Sequence, residues 1–342
     1  MRLRPAKAAI ACGLCALSLA LPHAAFAETF ELVGDAQATA PTGDPIVADD
    51  VVPDAYQYEY QKDGLAAFCH FGSNTYTGVE WGDSYGNKPV DEIYQLTQDM
   101  DAHTFVKALK DADFTKLIVT AKHHDGFCIW KSAETDYDVE LTKGKIDVLE
   151  QISKACTDLD MDMGLRLSPW DVHDPSYGYF DKGGNPCSND KSKDEKDYNQ
   201  YYNKQLVEIL GNPKYGNAGV FKEVWMDGAK GSGAKAQEYD FDLWFKTIQQ
   251  YEGTAAAKPA DCMLFGAGAN TTVRWIGNEQ GFANEETWAK SKVTGKSIDH
   301  KKVGGFYTVG YADGNKWTVP EADARITSGW FWGEDKRAPK SM

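Results

Sequence analysis

Apolar residues along the chain fall into short unbroken runs at 65–70, 116–122, 164–167, 223–226 and 262–265. Runs of four to seven residues without polar alternation predict strands covered on both faces. Between them the spacing changes to that of helices. Ala102, Phe105, Leu109 and Ala112 form one stripe, and Leu149, Ile152, Cys156 and Leu159 a second. Tyr202, Leu206 and Ile209, then Trp244, Ile248 and Tyr251, form the third and fourth. Strand and helix in repeated alternation predict a parallel sheet. Each strand run is followed by polar, aromatic or glycine residues: His70-Phe-Gly72, His123-His-Asp-Gly126, Ser168-Pro-Trp-Asp171, Asp227-Gly228 and Gly266-Ala-Gly268. Such residues at successive strand ends fit the loop face of a (β/α) barrel. No Gly-rich phosphate loop of a doubly wound sheet accompanies them. Weaker strand candidates at 305–309 and 324–327 bring the count to seven. Eight are needed for closure, so the fold expected is a (β/α)8-like TIM barrel, incomplete at its C-terminal end.

The N-terminal 27 residues do not belong to that pattern. Arg2, Arg4 and Lys7 precede an apolar stretch and an Ala25-Phe26-Ala27 site, the layout of a secretory signal peptide. Residues 28–53 lack periodicity and read as a linker, leaving 54–342 as the catalytic barrel domain. The expected product is secreted, and no run is long enough to span a membrane. The net charge of −15 falls to −18 when the signal is removed. That sign argues against nucleic acid as a partner, because phosphate binding rests on Lys and Arg. Ten tryptophans and 12% aromatic residues exclude a disordered chain and suit stacking on sugars. Five scattered cysteines outside the signal, Cys69, Cys128, Cys156, Cys187 and Cys262, make no disulfide framework.

Several side chains have the chemistry of a site. Asp227 follows an apolar strand and precedes Gly-Ala; it is either a functional carboxylate or a cap of the next helix. Glu279, in Arg274-Trp-Ile-Gly-Asn-Glu279, is a candidate second carboxylate. The adjacent His123 and His124 suit donors to hydroxyl groups. With Asp125 they also have metal-ligand types, but no helical H-E-x-x-H spacing or completing set supports a metal.

The ordered series Cys69-His-Phe-Gly72, Glu80-Trp-Gly82, Thr120-Ala-Lys-His-His-Asp-Gly-Phe127, Leu167-Ser-Pro-Trp-Asp171, Tyr201-Tyr202 with Gln205-Leu206, Glu223-Val-Trp-Met-Asp-Gly-Ala229, Arg274-Trp-Ile-Gly-Asn-Glu279 and Gly329-Trp-Phe-Trp332 resembles the α-L-fucosidases of glycoside hydrolase family 29. The resemblance implies a retaining exo-hydrolase of terminal α-L-fucose without metal or organic cofactor, with Asp227 as nucleophile. The Arg-Trp-Ile-Gly-Asn-Glu segment is similar to the subgroup acting on α-1,3- and α-1,4-linked fucose, which makes Glu279 the acid/base. Fucose binding is then expected at His70, Glu80, Trp81, His123, His124 and Trp225, with Asp171, Arg274 and Trp288 as further members. A raised Glu279 pKa is expected from desolvation near Trp275. The implied partner is a fucosylated oligosaccharide or glycoprotein glycan. The family pattern continues beyond Gly-Trp-Phe-Trp332, whereas this sequence ends at Met342. A catalytically impaired protein that binds fucosylated glycans is therefore the alternative.

Overall fold

The computed structural model describes residues 50–78, 80, 89–252 and 262–332. The expected signal, most of the linker, and Trp81 lie outside the described residues. A helix, α1 (Ala55–Tyr60), leads into β1 (Ala66–Cys69), followed by short α2 (Ser73–Thr77) and α3 (Val90–Ile93). Next come α4 (Ala102–Asp111), β2 (Lys116–Lys122), α5 (Val148–Asp158), β3 (Asp162–Leu167), α6 (Tyr198–Leu210), β4 (Glu223–Trp225), α7 (Phe241–Glu252) and β5 (Met263–Phe265). All four helices expected from spacing and all five apolar strands are present. Asp54, Asp101, Asp147 and Asp197 cap α1, α4, α5 and α6, each side chain accepting the backbone N–H three residues on.

The remaining strands differ from the expected ones. β6 (Val273–Trp275) follows β5; then β7 (Lys290–Thr294), β8 (Ser297–Asp299) and β11 (Lys316–Trp317) form a small antiparallel sheet. β9 (Lys302–Val303) and β10 (Tyr307–Thr308) pair separately, and β12 (Val319–Glu321) joins the main sheet. The expected strand at 305–309 shrinks to β10, and the one at 324–327 is not a strand. Phe306 is 70% and Ile326 82% exposed, so neither apolar residue is drawn into a sheet.

The main sheet has the order β1-β2-β3-β4-β5-β6-β12, and every pairing is parallel. Side chains alternate across it. Leu117, Val119, Ala121, Met163, Leu165 and Val224 face outward into the core shared with the helices. Ile118, Trp225, Met263, Phe265, Val273 and Val319, with Ala66 and Phe68, form a second core on the inner face. Lys116 of β2 meets Glu223 of β4 at 2.7 Å, across the intervening β3. That contact requires a curled sheet, and the structure is an incomplete (β/α) barrel whose described edge strands are β1 and β12. Gly164 on β3 makes the approach feasible, since a Cβ there would lie 2.9 Å from Ile118 Cγ1. Tyr56 and Tyr60 of α1 pack against this inner core. Among the described residues no helix is long and apolar enough to cross a membrane.

The turn after β2 depends on Gly126, whose φ is +80°. A Cβ there would fall 2.4 Å from Asp171 Oδ1 and 2.8 Å from His173 Cβ. Gly126→Ala is expected to destabilise the protein by about 1–3 kcal/mol through left-handed strain and displacement of the Asp171 loop. A denaturant midpoint unchanged from wild type would refute this reading.

Candidate active site

Strand parity decides which side chains reach the carboxyl end of the barrel interior. On β1 the inward series Ala66, Phe68 continues to His70, and on β3 it passes from Gly164 to Arg166. Past the end of β4, Asp227 places Oδ2 2.6 Å from Arg166 Nη2 and 3.6 Å from His124 Nε2. Its Oδ1 accepts the Ala229 N–H at 2.8 Å. Burial alone pushes its pKa up, but the Arg166 charge, His124 and these hydrogen bonds together hold it below the ordinary aspartate value. The side chain is still 21% exposed, so the ionised carboxylate remains reachable from the bowl.

Three imidazoles form one wall. His70 and His123 have ring centroids 5.9 Å apart, and those of His123 and His124 lie 4.1 Å apart. His124 Nδ1 bonds Ser168 Oγ at 2.7 Å. His123 Nδ1 is buried with no hydrogen-bond partner among the described residues. Burial first, then neighbouring positive charge, pushes His70 and His123 well below the usual histidine value. His124 is lowered to about 4 by burial, against the pull of Asp227. At neutral pH all three are uncharged and suited to exchanging hydrogen bonds with hydroxyls.

Aromatic rings complete the bowl. Trp225 stacks on Phe265 at 3.9 Å, meets Phe68 edge-on at 5.3 Å, and lies 5.6 Å from the Arg166 guanidinium. Trp330, from the Gly-Trp-Phe-Trp segment, stacks on His70 at 4.8 Å. Phe331 packs edge-on to His123 at 5.0 Å.

The rim carries further carboxyl groups. Glu80, raised by burial and by Glu279, accepts a hydrogen bond from the Trp330 backbone. Asp323 continues the inward series of β12 and accepts the Trp275 indole N–H at 2.7 Å. Burial pushes it up to about 6, and the charges of Glu279 and Asp227 add to that. Glu279 lies 3.6 Å from Arg325 Nη2, and its side chain is 42% exposed. Trp275 is 37% exposed and committed to Asp323. The Trp275 indole N–H thus goes to Asp323, and Glu279 itself stands half open to solvent.

Not every expected binding residue joins the bowl. Arg274 falls on the outward parity of β6 and spends its guanidinium on the Thr308 carbonyl at 2.5 Å, Thr308 Oγ1 at 3.0 Å and the Trp288 carbonyl at 2.7 Å. It ties β6 to the loops behind it instead of facing sugar. The Trp288 backbone is part of that tie, bonding Val309 as well, and its side chain is exposed. Asp171 is buried with Oδ2 on Lys122 Nζ at 3.0 Å and Oδ1 on the N–H groups of His173 and Asp174. It shapes the loop that carries Trp170, whose ring lies 5.1 Å from His124. Arg166, Trp330 and Asp323 were not among the expected residues. Arg166 had a readable signal, a lone Arg in an otherwise apolar strand run. Among the described residues, no group of three or more His, Cys, Asp or Glu is placed to hold a metal ion.

A curled parallel sheet with an ionised carboxylate, neutral imidazoles and aromatic walls at its carboxyl ends is the layout of a (β/α) barrel that carries its polar site on the strand-end loops. The profile of the family described as alpha-L-fucosidase matches residues 49–263. "Alpha-L-fucosidase 1" of Arabidopsis thaliana is 37% identical over 284 residues, covering 82% of this chain and 50% of its own. The Ruminococcus gnavus GH29 fucosidase E1_10125 in complex with fucose is 65% identical with a TM-score of 0.79, covering 86% of this chain and 59% of that one. SpGH29 is 40% identical with a TM-score of 0.72, covering 85% and 59%. This chain belongs to the α-L-fucosidase family, and it spans about half the length of the curated relatives it matches.

Arg166→Gln removes the main opposing charge from a mostly buried carboxylate. The Asp227 pKa is expected to rise, because burial then acts with less opposition. Carboxyl-carbon NMR titration of the labelled protein measures this, and an unmoved midpoint would contradict the assigned cause.

Proposed function

We propose that this protein is an exported exo-α-L-fucosidase that removes terminal α-1,3- or α-1,4-linked L-fucose from glycans with retention of configuration. The observation that carries the reading is the Asp227 carboxylate, kept ionised by Arg166 inside a bowl of neutral histidines and tryptophans. Support also comes from the R. gnavus relative, whose structure holds fucose.

In this reaction Asp227 attacks the anomeric carbon, and the C1–O bond to the leaving sugar breaks. Glu279 gives its proton to the departing oxygen, leaving a fucosyl ester on Asp227. Glu279 then takes a proton from water, whose oxygen attacks C1 and releases fucose and the Asp227 carboxylate. His70, His123 and His124 exchange hydrogen bonds with the fucose hydroxyls, while Trp225 and Trp330 face its apolar side. Glu80 and Trp81 are further sugar-binding residues in this reading, on the strength of the Glu80-Trp-Gly82 segment. Because Glu279 is half exposed, the leaving sugar itself supplies its cover. The linkage preference rests on the Arg-Trp-Ile-Gly-Asn-Glu segment, and export on residues 1–27.

Asp227→Ala should abolish release of aryl α-L-fucoside. Glu279→Ala should slow cleavage of a Lewis-type trisaccharide by ~10²–10⁴-fold. It should act far less on a fucoside whose phenol leaves without a proton. Proton NMR of the first product should show α-fucose. Equal loss on both substrates would remove Glu279 from the acid role. If the wild-type chain releases nothing yet binds fucosylated glycans, a binding protein is the correct reading. The exported chain should begin at Glu28 by N-terminal sequencing; retention of residues 1–27 would end the secretory reading.

A further inference from the structure

Below the bowl, four polar side chains from α1, β2, β4 and β12 meet inside the barrel. The Tyr60 hydroxyl oxygen lies 2.7 Å from Lys116 Nζ, 2.8 Å from Glu223 Oε2 and 2.5 Å from Glu321 Oε2. Lys116 Nζ also donates to Glu223 Oε2 at 2.7 Å. The second oxygen of Glu321, Oε1, accepts the indole N–H of Trp225 at 3.1 Å. Glu321 thereby joins the barrel floor to a wall of the sugar site.

A count of protons identifies the state of this cluster. A phenol has one proton to give and two lone pairs to receive with. Lys116 can only donate, so it takes one lone pair. The phenol proton serves one of the two carboxyl groups. The other contact is a hydrogen bond only if that carboxyl brings its own proton. Glu223 Oε2 already accepts from the Lys116 ammonium. Glu321 has no cation at hydrogen-bond distance, and its other oxygen is occupied by an indole. The consistent arrangement has Glu321 as a neutral acid donating to Tyr60, with Tyr60 donating to Glu223.

We propose that Glu321, held as a neutral carboxylic acid, is the positioning residue that aims Trp225 into the sugar bowl, and that losing its proton loosens the site. The proposal rests on Trp225 lining that bowl as described above. Burial and then the Glu223 charge push Glu321 up to about 7, against the Lys116 charge and its contacts with Tyr60 and Trp225. The groups facing it are Tyr60 of α1, Lys116 of β2, and Glu223 and Trp225 of β4. Arg166 of β3 lies beyond the Trp225 ring, and Trp275, its register partner on β6, gives its N–H to Asp323. Once ionised, Glu321 competes with Glu223 for one phenol proton at close range, and the cost falls on the three-residue strand β12. That strand pairs with β6 alone among the described strands, so a single ladder holds it. A displaced Glu321 carries the Trp225 indole with it.

Glu321→Gln tests this in the full chain, because the amide offers N–H to Tyr60 and oxygen to Trp225 with no proton to lose. Two measurements separate the outcomes. Thermal midpoints read the proton independently of sugar. The stabilisation tied to it is complete below the ordinary glutamate value and is lost as pH rises through about 7. The wild-type midpoint should therefore fall relative to that of Glu321→Gln across this window and run parallel above it. Calorimetric binding of fucose, measured in a Glu279→Gln background to remove the titration of that group, reads the site. The dissociation constant should weaken several-fold with a midpoint near pH 7 when Glu321 is present, and stay level when it is Gln. Superimposable pH curves would overturn the proposal. So would a Glu321→Gln protein that fails to fold or loses fucose at pH 6, since either result means the ionised form is required. If the wild-type chain binds no fucose at any pH, the fucosidase reading fails, while the thermal comparison still reads the Glu321 proton.

Discussion

A single guanidinium sets the electrostatics of the site. Arg166 is buried, lies 2.6 Å from Asp227, and has two more nitrogens without partners among the described residues. Its positive charge offsets the cost of keeping a carboxylate ionised in a mostly buried place. The same charge acts on His70, His123 and His124, where it adds to burial, the larger cause, in opposing protonation. One residue thus favours the charged form of the carboxylate and the neutral form of the three imidazoles.

That guanidinium is available only because the sheet curls. Arg166 shares the inner face with Gly164, whose missing side chain leaves room for Ile118 and lets the polar layer of Lys116 and Glu223 form beneath. A buried Lys-Glu pair is weak evidence for stability, because desolvation offsets much of the attraction. Its value here is geometric: together with Tyr60 it ties α1, β2, β4 and β12 at one point. The barrel interior is therefore layered, with a charged floor, an apolar middle of Ile118, Met263 and Val319, and an ionised carboxylate at the top.

Much of this was legible in the residue pattern, and the failures have physical reasons. Buried strands such as 116–122 keep an apolar centre, Leu117-Ile-Val119, with no strict polar alternation to blur them, and the helices carried clear stripes. Strand ends then named the histidines and Asp227. β6 and β12 escaped because three residues give no period, and Pro320 in β12 reads as a break. The error over Arg274 has the same origin. Without knowing that a strand runs through Val273–Trp275, its parity cannot be assigned, and parity sends Trp275 inward and Arg274 out. Asp323 inherits its place from β12, so it was hidden with that strand. Trp330 belonged to a recognised segment, but only tertiary folding brings a residue so late in the chain onto His70, a contact local spacing does not contain.

The rim shows how four carboxyl groups can divide their work. Asp227 is held low, while Glu80 and Asp323 are raised by burial and by Glu279. Two raised acids beside a half-exposed Glu279 form a set in which covering one group changes all of them. Arg325, 3.6 Å from Glu279, is the counter-charge on that side of the rim. Asp323 meanwhile fixes the Trp275 indole, whose ring stays partly exposed beside these groups. In the function proposed above, a bound sugar covers Glu279, the one member of this set that the protein leaves half open, and so ties the carboxyl groups to occupancy of the site.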